Sequence, residues 1–341
     1  LAFGLDTYYN CVYDCAYCCF LGLAHVWGGD NPHRTLDVDW FKRKIVNGLK
    51  ASRPKSPLAW AIRHRKTLRI GNKYDPLPPQ EAELGITRQV LEFLRDLGWQ
   101  VVIQSKNAAL LMQYADLLVD MGAIVMTTIT AGGGQDWELL EGRRSPPPGK
   151  RLSMLSHLAL RGLQTCVVTE PFIPGYHTLS QFESLVTAVK DWGIDRMNVY
   201  NLRLNTFVAK RLIEIGLDVE AIWEANQDEN WRALLQDLLA IAEGHGAKIG
   251  CPDFANAGRF LPTTNTCCGV DVDRPCTFNI INWRKIGLER GEVKLSDALA
   301  TYDGVGDYAE GLALFGGVLP DRWHLGDCGI FEREGDGWKL T

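Results

Sequence analysis

Apolar residues recur along this chain with two periods, and the two alternate. Between Leu36 and Leu49, the residues Val38, Phe41, Ile45, Val46 and Leu49 fall on one face of a helix. Asp37 and Asp39 sit favourably near its positive end. The same period carries Ile86, Val90, Leu94 and Leu97, then residues 108–121, then Leu152, Leu155, Leu158 and Leu160, then residues 182–192, 209–215 and 231–243. Shorter runs between them read as strands, over residues 2–9, 68–71, 100–104, 123–130, 164–169 and 196–200. Six strands alternating with helices predict an α/β fold with a parallel sheet and right-handed crossovers. Reactive groups in such a fold gather at the C-terminal strand ends. On the fourth strand Met126, Thr128 and Thr130 share a face, as a polar mouth or simply as β-branched strand formers.

A chain of 341 residues accommodates one large α/β domain and a smaller appendage. The division falls at residues 1–246 and 247–341. No run of about 18 uncharged apolar residues is present, so no membrane-spanning helix is expected, and the first residues read as strand rather than as a secretory leader. The net charge of −5 argues against a uniform nucleic-acid-binding coat. One stretch reverses the sign: Lys42, Arg43, Lys44, Lys50, Arg53, Lys55, Arg63, Arg65, Lys66 and Arg69, with His64, contain no acidic residue among them. This is either a solvated helix face with a lysine-rich loop or a nucleic-acid phosphate site in which Trp60 stacks on a base. The 10 cysteines are too few for a disulfide scaffold and too clustered for chance burial. Metal binding in a reducing cytoplasm fits them better.

Three of the thiols, Cys11, Cys15 and Cys18, are spaced C-x3-C-x2-C on a loop after the first strand. A zinc knuckle would close to four ligands with a second pair, and none follows within about forty residues. An iron–sulfur cube takes four ligands, so a triplet leaves one iron open for chemistry. Cys19 is a spare thiol beside them.

This spacing, with Tyr17 just before the last cysteine, resembles the cluster motif of the radical S-adenosylmethionine (SAM) superfamily. The resemblance implies a partial (β/α)6 radical SAM barrel with a cysteine-rich C-terminal extension. It implies a [4Fe-4S] cluster held by Cys11, Cys15 and Cys18, SAM on the open iron, Tyr17 near the adenine, and an electron donor such as flavodoxin or ferredoxin. Later motifs narrow it toward the spore photoproduct lyase-like branch. Gly71-Asn72-Lys73-Tyr74-Asp75-Pro76 looks like that branch's second-strand turn, near the SAM amino group. Ser105-Lys106 resembles its Ser-Lys step, where Lys106 would bond the SAM carboxylate. Leu140-Glu141-Gly142-Arg143-Arg144-Ser145-Pro146 followed by Arg151-Leu152 is similar to a further signature, with Glu141 and Arg151 as an ion pair or as SAM contacts. Glu170-Pro171-Phe172-Ile173-Pro174-Gly175 looks like the fifth-strand turn, where Pro174 and Gly175 border the adenine. Thr128 and Thr130 complete the expected cofactor set.

Beyond residue 246, Cys251, Cys267, Cys268 and Cys276 lie among Gly, Pro, Thr and Asn. They fit a second iron–sulfur cluster, a structural zinc or reduced packing thiols, with Cys328 as an alternative ligand. From Gly291 onward, turns and short helical pieces are expected, and the isolated histidines, His177 among them, read as structural.

The resemblance implies hydrogen abstraction from a nucleobase in DNA or RNA, supported by the basic 42–69 segment. The alternatives are a peptide or small-metabolite substrate, with the tail's cluster as a relay, or a non-enzymatic metal-binding protein. The lyases use a cysteine between the cluster and the second-strand motif to return hydrogen. None occurs here between Cys19 and Cys166, which leaves those two as candidate catalytic thiols.

Overall fold

A computed structural model describes residues 3–9, 11–22, 34–52, 57–134, 136–250, 266–267, 270–271, 290–294, 322–324, 330–335 and 337–340. Seven parallel strands make one open sheet whose spatial order is the chain order: β1 (Phe3–Leu5), β2 (Leu68–Ile70), β3 (Val101–Gln104), β4 (Ile124–Thr128), β5 (Gln164–Phe172), β6 (Arg196–Asn201) and β7 (Lys248–Ile249). The crossovers carry α1 (Val38–Lys50) and α2 (Pro57–Arg63), then α3 (Glu81–Leu84) and α4 (Ile86–Asp96), then α5 (Ala108–Gln113) and α6 (Ala115–Asp120). After β4 come α7 (Trp137–Glu141) and α8 (Pro148–Leu160), and after β5 comes α9 (Leu179–Asp191). Between β6 and β7 lie α10 (Thr206–Glu214), α11 (Val219–Ala225) and α12 (Asp228–Gly244). Among the described residues no helix is long and apolar enough to cross a membrane.

Strand alternation divides the sheet into two faces. Leu68, Ile70, Val101, Ile103, Val125, Val167, Met197 and Val199 pack with Leu91, Leu94, Leu111, Leu118, Leu155, Phe182 and Trp231 of the helices in one core. The other face follows the ladder pairs: Gln104 beside Met126 and Cys166, and Thr128 beside Val168 and Asn198. The shared face of Met126 and Thr128 is therefore the inner one, and it is mixed in polarity.

Several elements depart from the expected ones. The seventh strand was not legible because its two residues show no period. It forms after Gly246, at φ +68°, turns the chain out of α12, and Lys248 and Ile249 then pair with Arg196 and Met197. The helix expected over 108–121 is broken at Tyr114, whose hydroxyl donates to buried Glu81 at 2.7 Å. Trp60 lies within α2 rather than in a loop. The described residues beyond Gly291 form strands and a turn, and the helical pieces expected there fall outside the described residues. β8 (Thr266–Cys267) and β9 (Val270–Asp271) pair antiparallel. A second antiparallel sheet has β10 (Glu292–Lys294), β13 (Gly337–Leu340), β12 (Ile330–Glu334) and β11 (Arg322–His324) in that order. The β12–β13 hairpin turns at Gly335, where φ is +64°.

Candidate active site

The chain leaves β1 at Asp6, whose carboxylate accepts the backbone N–H groups of Asn72, Lys73 and Tyr74 at 3.0, 2.8 and 3.2 Å. One side chain thereby fixes the entry to the cysteine loop against the turn that follows β2. Gly71 opens that turn at φ +83°, and a Cβ there would lie 2.4 Å from the Gln104 carbonyl oxygen. Only glycine satisfies both constraints. The turn ends at Asp75, which accepts from Leu77 N (2.9 Å), Ser105 Oγ (2.6 Å) and Lys106 N (2.8 Å). Burial nonetheless raises its pKa. Asp75 thus ties the ends of β2 and β3 together at one wall of the site.

The cysteine loop packs across the C-terminal strand ends. Tyr13, Cys15, Ala16 and Tyr17 join Leu140, Ile173, Leu202, Val208, Leu212 and Ile222 in a second apolar cluster, so the loop rests on α7, α10 and α11. Ala16 N donates to Leu140 O at 2.8 Å. Cys11, Cys15, Cys18 and Cys19 are all thiols, none joined in a disulfide. Burial pushes the thiol of Cys11 up to about 12 and that of Cys18 up to about 11, and it raises Cys15 as well. Unligated, these sulfurs are protonated at neutral pH. A bound cation reverses the penalty by stabilising thiolate, so metal uptake here is coupled to proton release.

Behind Cys15 lies a buried charge network. The Lys106 ammonium contacts Cys15 Sγ at 3.0 Å, Tyr17 Oη at 2.7 Å and Glu141 Oε1 at 3.0 Å. Tyr17 donates to Glu141 Oε1 at 2.6 Å, and Ser145 Oγ donates to Glu141 Oε2 at 2.7 Å. Arg151, 0% exposed, pairs with Glu141 and donates to the Thr128 and Pro146 carbonyls. Burial alone would raise the Glu141 carboxyl, but Lys106 and Arg151 outweigh it and hold it at about 2. The carboxylate neutralises two buried cations, and one of those cations touches a cysteine sulfur.

These elements line one open cleft. Of the residues singled out from sequence, Cys11, Cys15, Tyr17, Cys18, Cys19, Gly71, Asn72, Lys73, Lys106 and Thr128 line it together. Glu141 and Arg151 do not; they form the ion pair and stand behind the wall. Thr130 is likewise buried outside the lining, 3.3 Å from Asp136. Pro174 is buried and Gly175 exposed, on a turn packed against Ala221 rather than on the cleft. Cys166 is 0% exposed and sits one register step below Thr128 on the inner face, beneath the lining. Cys251, Cys268 and Cys276 lie outside the described residues, as does the Cys267 side chain, although its backbone forms β8. Of the described residues of the basic segment, only Arg69 reaches the cleft. Lys66 is 0% exposed at the opposite end of β2, and the Arg65 guanidinium donates to Leu97 O at 2.5 Å.

Arg69, from the basic segment, and Glu170, which opens the fifth-strand turn, also line the cleft, and sequence reading assigned no role to Tyr13, Phe20, Gln104, Asn201 and Arg203, which line it too. The inward period of β3 would have found Gln104 and the strand-end position would have found Asn201. For Arg203, in the loop after β6, no signal existed. His177 is structural, as expected: its Nδ1 accepts from Ile173 N at 2.9 Å, so Nε2 carries the proton and donates to Asp136 at 2.8 Å.

The donor set suits an iron–sulfur cube and SAM. Among the described residues no three His, Cys, Asp or Glu side chains converge on a single ion. A cube spreads its thiolate ligands around a larger body, which three cysteines along one cleft wall fit. The same cleft carries Lys73, Lys106 and Arg203 for a carboxylate, and Glu170 for an ammonium.

The fold is similar to that of solved radical SAM enzymes. A spore photoproduct lyase variant with bound AdoMet and dinucleoside spore photoproduct superposes with a TM-score of 0.54 at 12% identity, over 72% of this chain and 75% of that one. SuiB of Streptococcus suis bound to S-adenosylmethionine superposes with a TM-score of 0.53 at 12% identity, over 76% of this chain and 52% of SuiB, so the match spans about half of SuiB's length. Both neighbours are radical SAM enzymes, and the likeness is one of fold. No family model matches the chain, and no curated protein matches it.

Proposed function

We propose that this protein is a radical SAM enzyme in which Cys11, Cys15 and Cys18 hold a [4Fe-4S] cluster and the cleft above them holds SAM. The observation that carries the reading is the convergence of those three thiols with Lys73, Lys106 and Glu170 in one cleft at the C-terminal ends of this sheet. When bound, the cluster and SAM supply one-electron cleavage of the sulfonium and a radical that abstracts hydrogen from substrate. The chain's own residues bind, orient and exclude water. Lys106 places a positive charge beside Cys15 and favours its thiolate form. Lys73 and Arg203 suit the amino-acid carboxylate of SAM, and Glu170 its ammonium. Thr128 and Gln104, joined at 3.1 Å, form a polar floor.

The substrate we infer is a nucleobase-bearing molecule. The match to spore photoproduct lyase spans more of that enzyme than the match to SuiB spans of SuiB. Arg69, Lys73 and Arg203 also line the cleft beside Phe20 and Tyr74, a set suited to phosphate and base. Cys19, on the lining, takes the place of a hydrogen-returning thiol, and Cys166, beneath it, does not. The second reading, a peptide substrate, draws on the SuiB-like fold together with the cysteines beyond residue 250. A small acidic electron carrier such as flavodoxin or ferredoxin would complete turnover.

The test is iron and sulfide analysis with low-temperature EPR on anaerobically reconstituted protein, alongside a variant lacking Cys11, Cys15 and Cys18. Reductant-dependent 5′-deoxyadenosine formation from SAM is measured in parallel. About four irons in the parent and none in the variant is the expected result for one cluster, and about eight falling to four places a second in the tail. A parent that takes up no iron ends the reading. For the substrate, Arg69→Ala and Arg203→Ala should each flatten the salt dependence of dinucleotide binding; absence of binding by the parent transfers the proposal to peptides.

A further inference from the structure

Asp14 stands between Cys11 and Cys15 with φ +52°, a left-handed conformation that non-glycine residues adopt at a cost of about 1 kcal/mol. Asp14 is one of only two non-glycine residues with positive φ among the described residues, and it lies inside the loop that carries the thiols. Something must hold it there.

The holder is Arg211, nearly two hundred residues away on α10. Its Nη1 lies 2.9 Å from Asp14 Oδ1 and donates to Cys15 O at 3.2 Å, while Nη2 donates to Asp14 O at 2.8 Å. The guanidinium also lies 5.7 Å from the Phe207 ring. Val208 and Leu212, on the same helix, are buried against Tyr13, Cys15 and Tyr17, so α10 is fixed relative to the loop before Arg211 reaches it. From the other side the loop is held by Leu140 O on Ala16 N and by Lys106 on Cys15 Sγ. Arg211 itself does not line the cleft.

We propose that Arg211 is the positioning residue of the cysteine loop. Its rigid fork holds the carbonyls of Asp14 and Cys15, the latter shared with Cys18 N at 3.1 Å, and keeps Asp14 left-handed, and this sets the C-x3-C segment with Cys15 facing the cleft before any metal arrives. A planar guanidinium serves three acceptors at once, which an ammonium cannot. The inference rests on the reading of Cys11, Cys15 and Cys18 as cluster ligands. Partners that orient metal ligands typically change metal retention by 10- to 100-fold when removed.

The experiment follows loss of iron to a ferrous chelator, by absorbance, from reconstituted parent, Arg211→Ala, Arg211→Lys and Asp14→Asn proteins. Arg143→Ala, which removes an exposed pair with Glu138, is the surface control. Melting of each metal-free protein is recorded by circular dichroism, so that a general loss of stability is separated from an effect on the loop. Arg211→Ala is expected to lose iron on the order of tenfold faster, Arg211→Lys by an intermediate factor, and Arg143→Ala at the parent rate. Asp14→Asn keeps both carbonyl contacts and should accelerate loss only about twofold to threefold, which keeps the test decisive if Arg211→Ala does not fold. Parent-like loss from Arg211→Ala, or from Arg211→Lys and Asp14→Asn together, overturns the proposal while leaving the cluster in place. A parent that binds no iron removes the cluster reading and this inference with it.

Discussion

Two glutamates in this protein are buried to the same degree and are satisfied in opposite ways. Glu81 and Glu141 are each 1% exposed. Glu81 accepts from four neutral donors: the hydroxyls of Tyr8 and Tyr114 and the backbone N–H groups of Thr87 and Arg88. Its carboxylate caps the first turn of α4, and burial and the carboxylate together raise both phenols. Glu141 takes two cations and two hydroxyls, and through Lys106 it reaches a cysteine sulfur. A buried carboxylate met by neutral dipoles stabilises an element. One met by cations that continue to a thiol belongs to a site. Arg151 apart, the partners that distinguish the two, Tyr8 and Tyr114 on one side and Lys106 and Tyr17 on the other, are not visible from the glutamate's own neighbours in sequence.

Replacing the charge by an isosteric amide breaks the comparison most sharply. Glu141→Gln strands Arg151 and Lys106 in a buried region, and removing one partner of such a group costs about 3–5 kcal/mol. Chemical unfolding should show a drop of that size. Acid should produce a related effect in the parent. The Glu141 carboxyl is lowered from 4.5 to about 2, so its contribution is complete above pH 4.5 and is lost as pH falls toward about 2, amounting to about 3 kcal/mol. Stability measured from pH 6 to pH 3 should fall in the parent, and this component should be absent from Glu141→Gln. An identical acid profile in both proteins would show that the network does not carry the charge.

Glu81→Gln is the milder counterpart. Each Glu81 oxygen takes one tyrosine hydroxyl and one backbone N–H; the hydroxyls can reverse to accept from an amide, but the N–H groups cannot. One buried N–H is left opposed, at a cost of about 1–3 kcal/mol. None of the residues that bond Glu81 lines the cleft, so iron uptake should match the parent. Reduced iron content in Glu81→Gln at parent-like folding would erase the distinction between the two carboxylates.

The legible part of this molecule was its period and its spacing. The alternation of apolar runs placed six of the seven strands of the parallel sheet, and C-x3-C-x2-C placed the thiols, because both are local. Gly71 and Lys106 were found because the turns after β2 and β3 resemble the family's motifs, and Thr128 because it shares the inward face of β4. What sequence could not give was direction and distance. Glu141 and Arg151 read either as an ion pair or as SAM contacts, and they are the ion pair, neutralising one another behind the wall. Residues 42–69 read as a solvated helix face with a lysine-rich loop or as a phosphate site, and the segment spans two helices and enters β2 from the end opposite the cleft, which separates Lys66 from Arg69. Arg211 was silent because its partners, Asp14 and Cys15, lie nearly two hundred residues away.

Tyr17 offers the finest test of the same comparison, because it is the hydroxyl through which the loop joins the Glu141 network. Its Oη donates to Glu141 and accepts from Lys106, while its ring packs with the loop and lies 5.1 Å from the Lys106 ammonium. Tyr17→Phe removes the hydroxyl and keeps the ring. Glu141 Oε1 retains Lys106 at 3.0 Å, so no charge is stranded and the loss should be about 1 kcal/mol, well below that of Glu141→Gln. If the two substitutions act through one network, the effect of Tyr17→Phe should shrink when Glu141 is already Gln, because the acceptor it serves has lost its charge. A double-mutant cycle by guanidinium unfolding measures this directly. Strict additivity would mean that Tyr17 is held by its ring packing alone and that the network ends at Lys106.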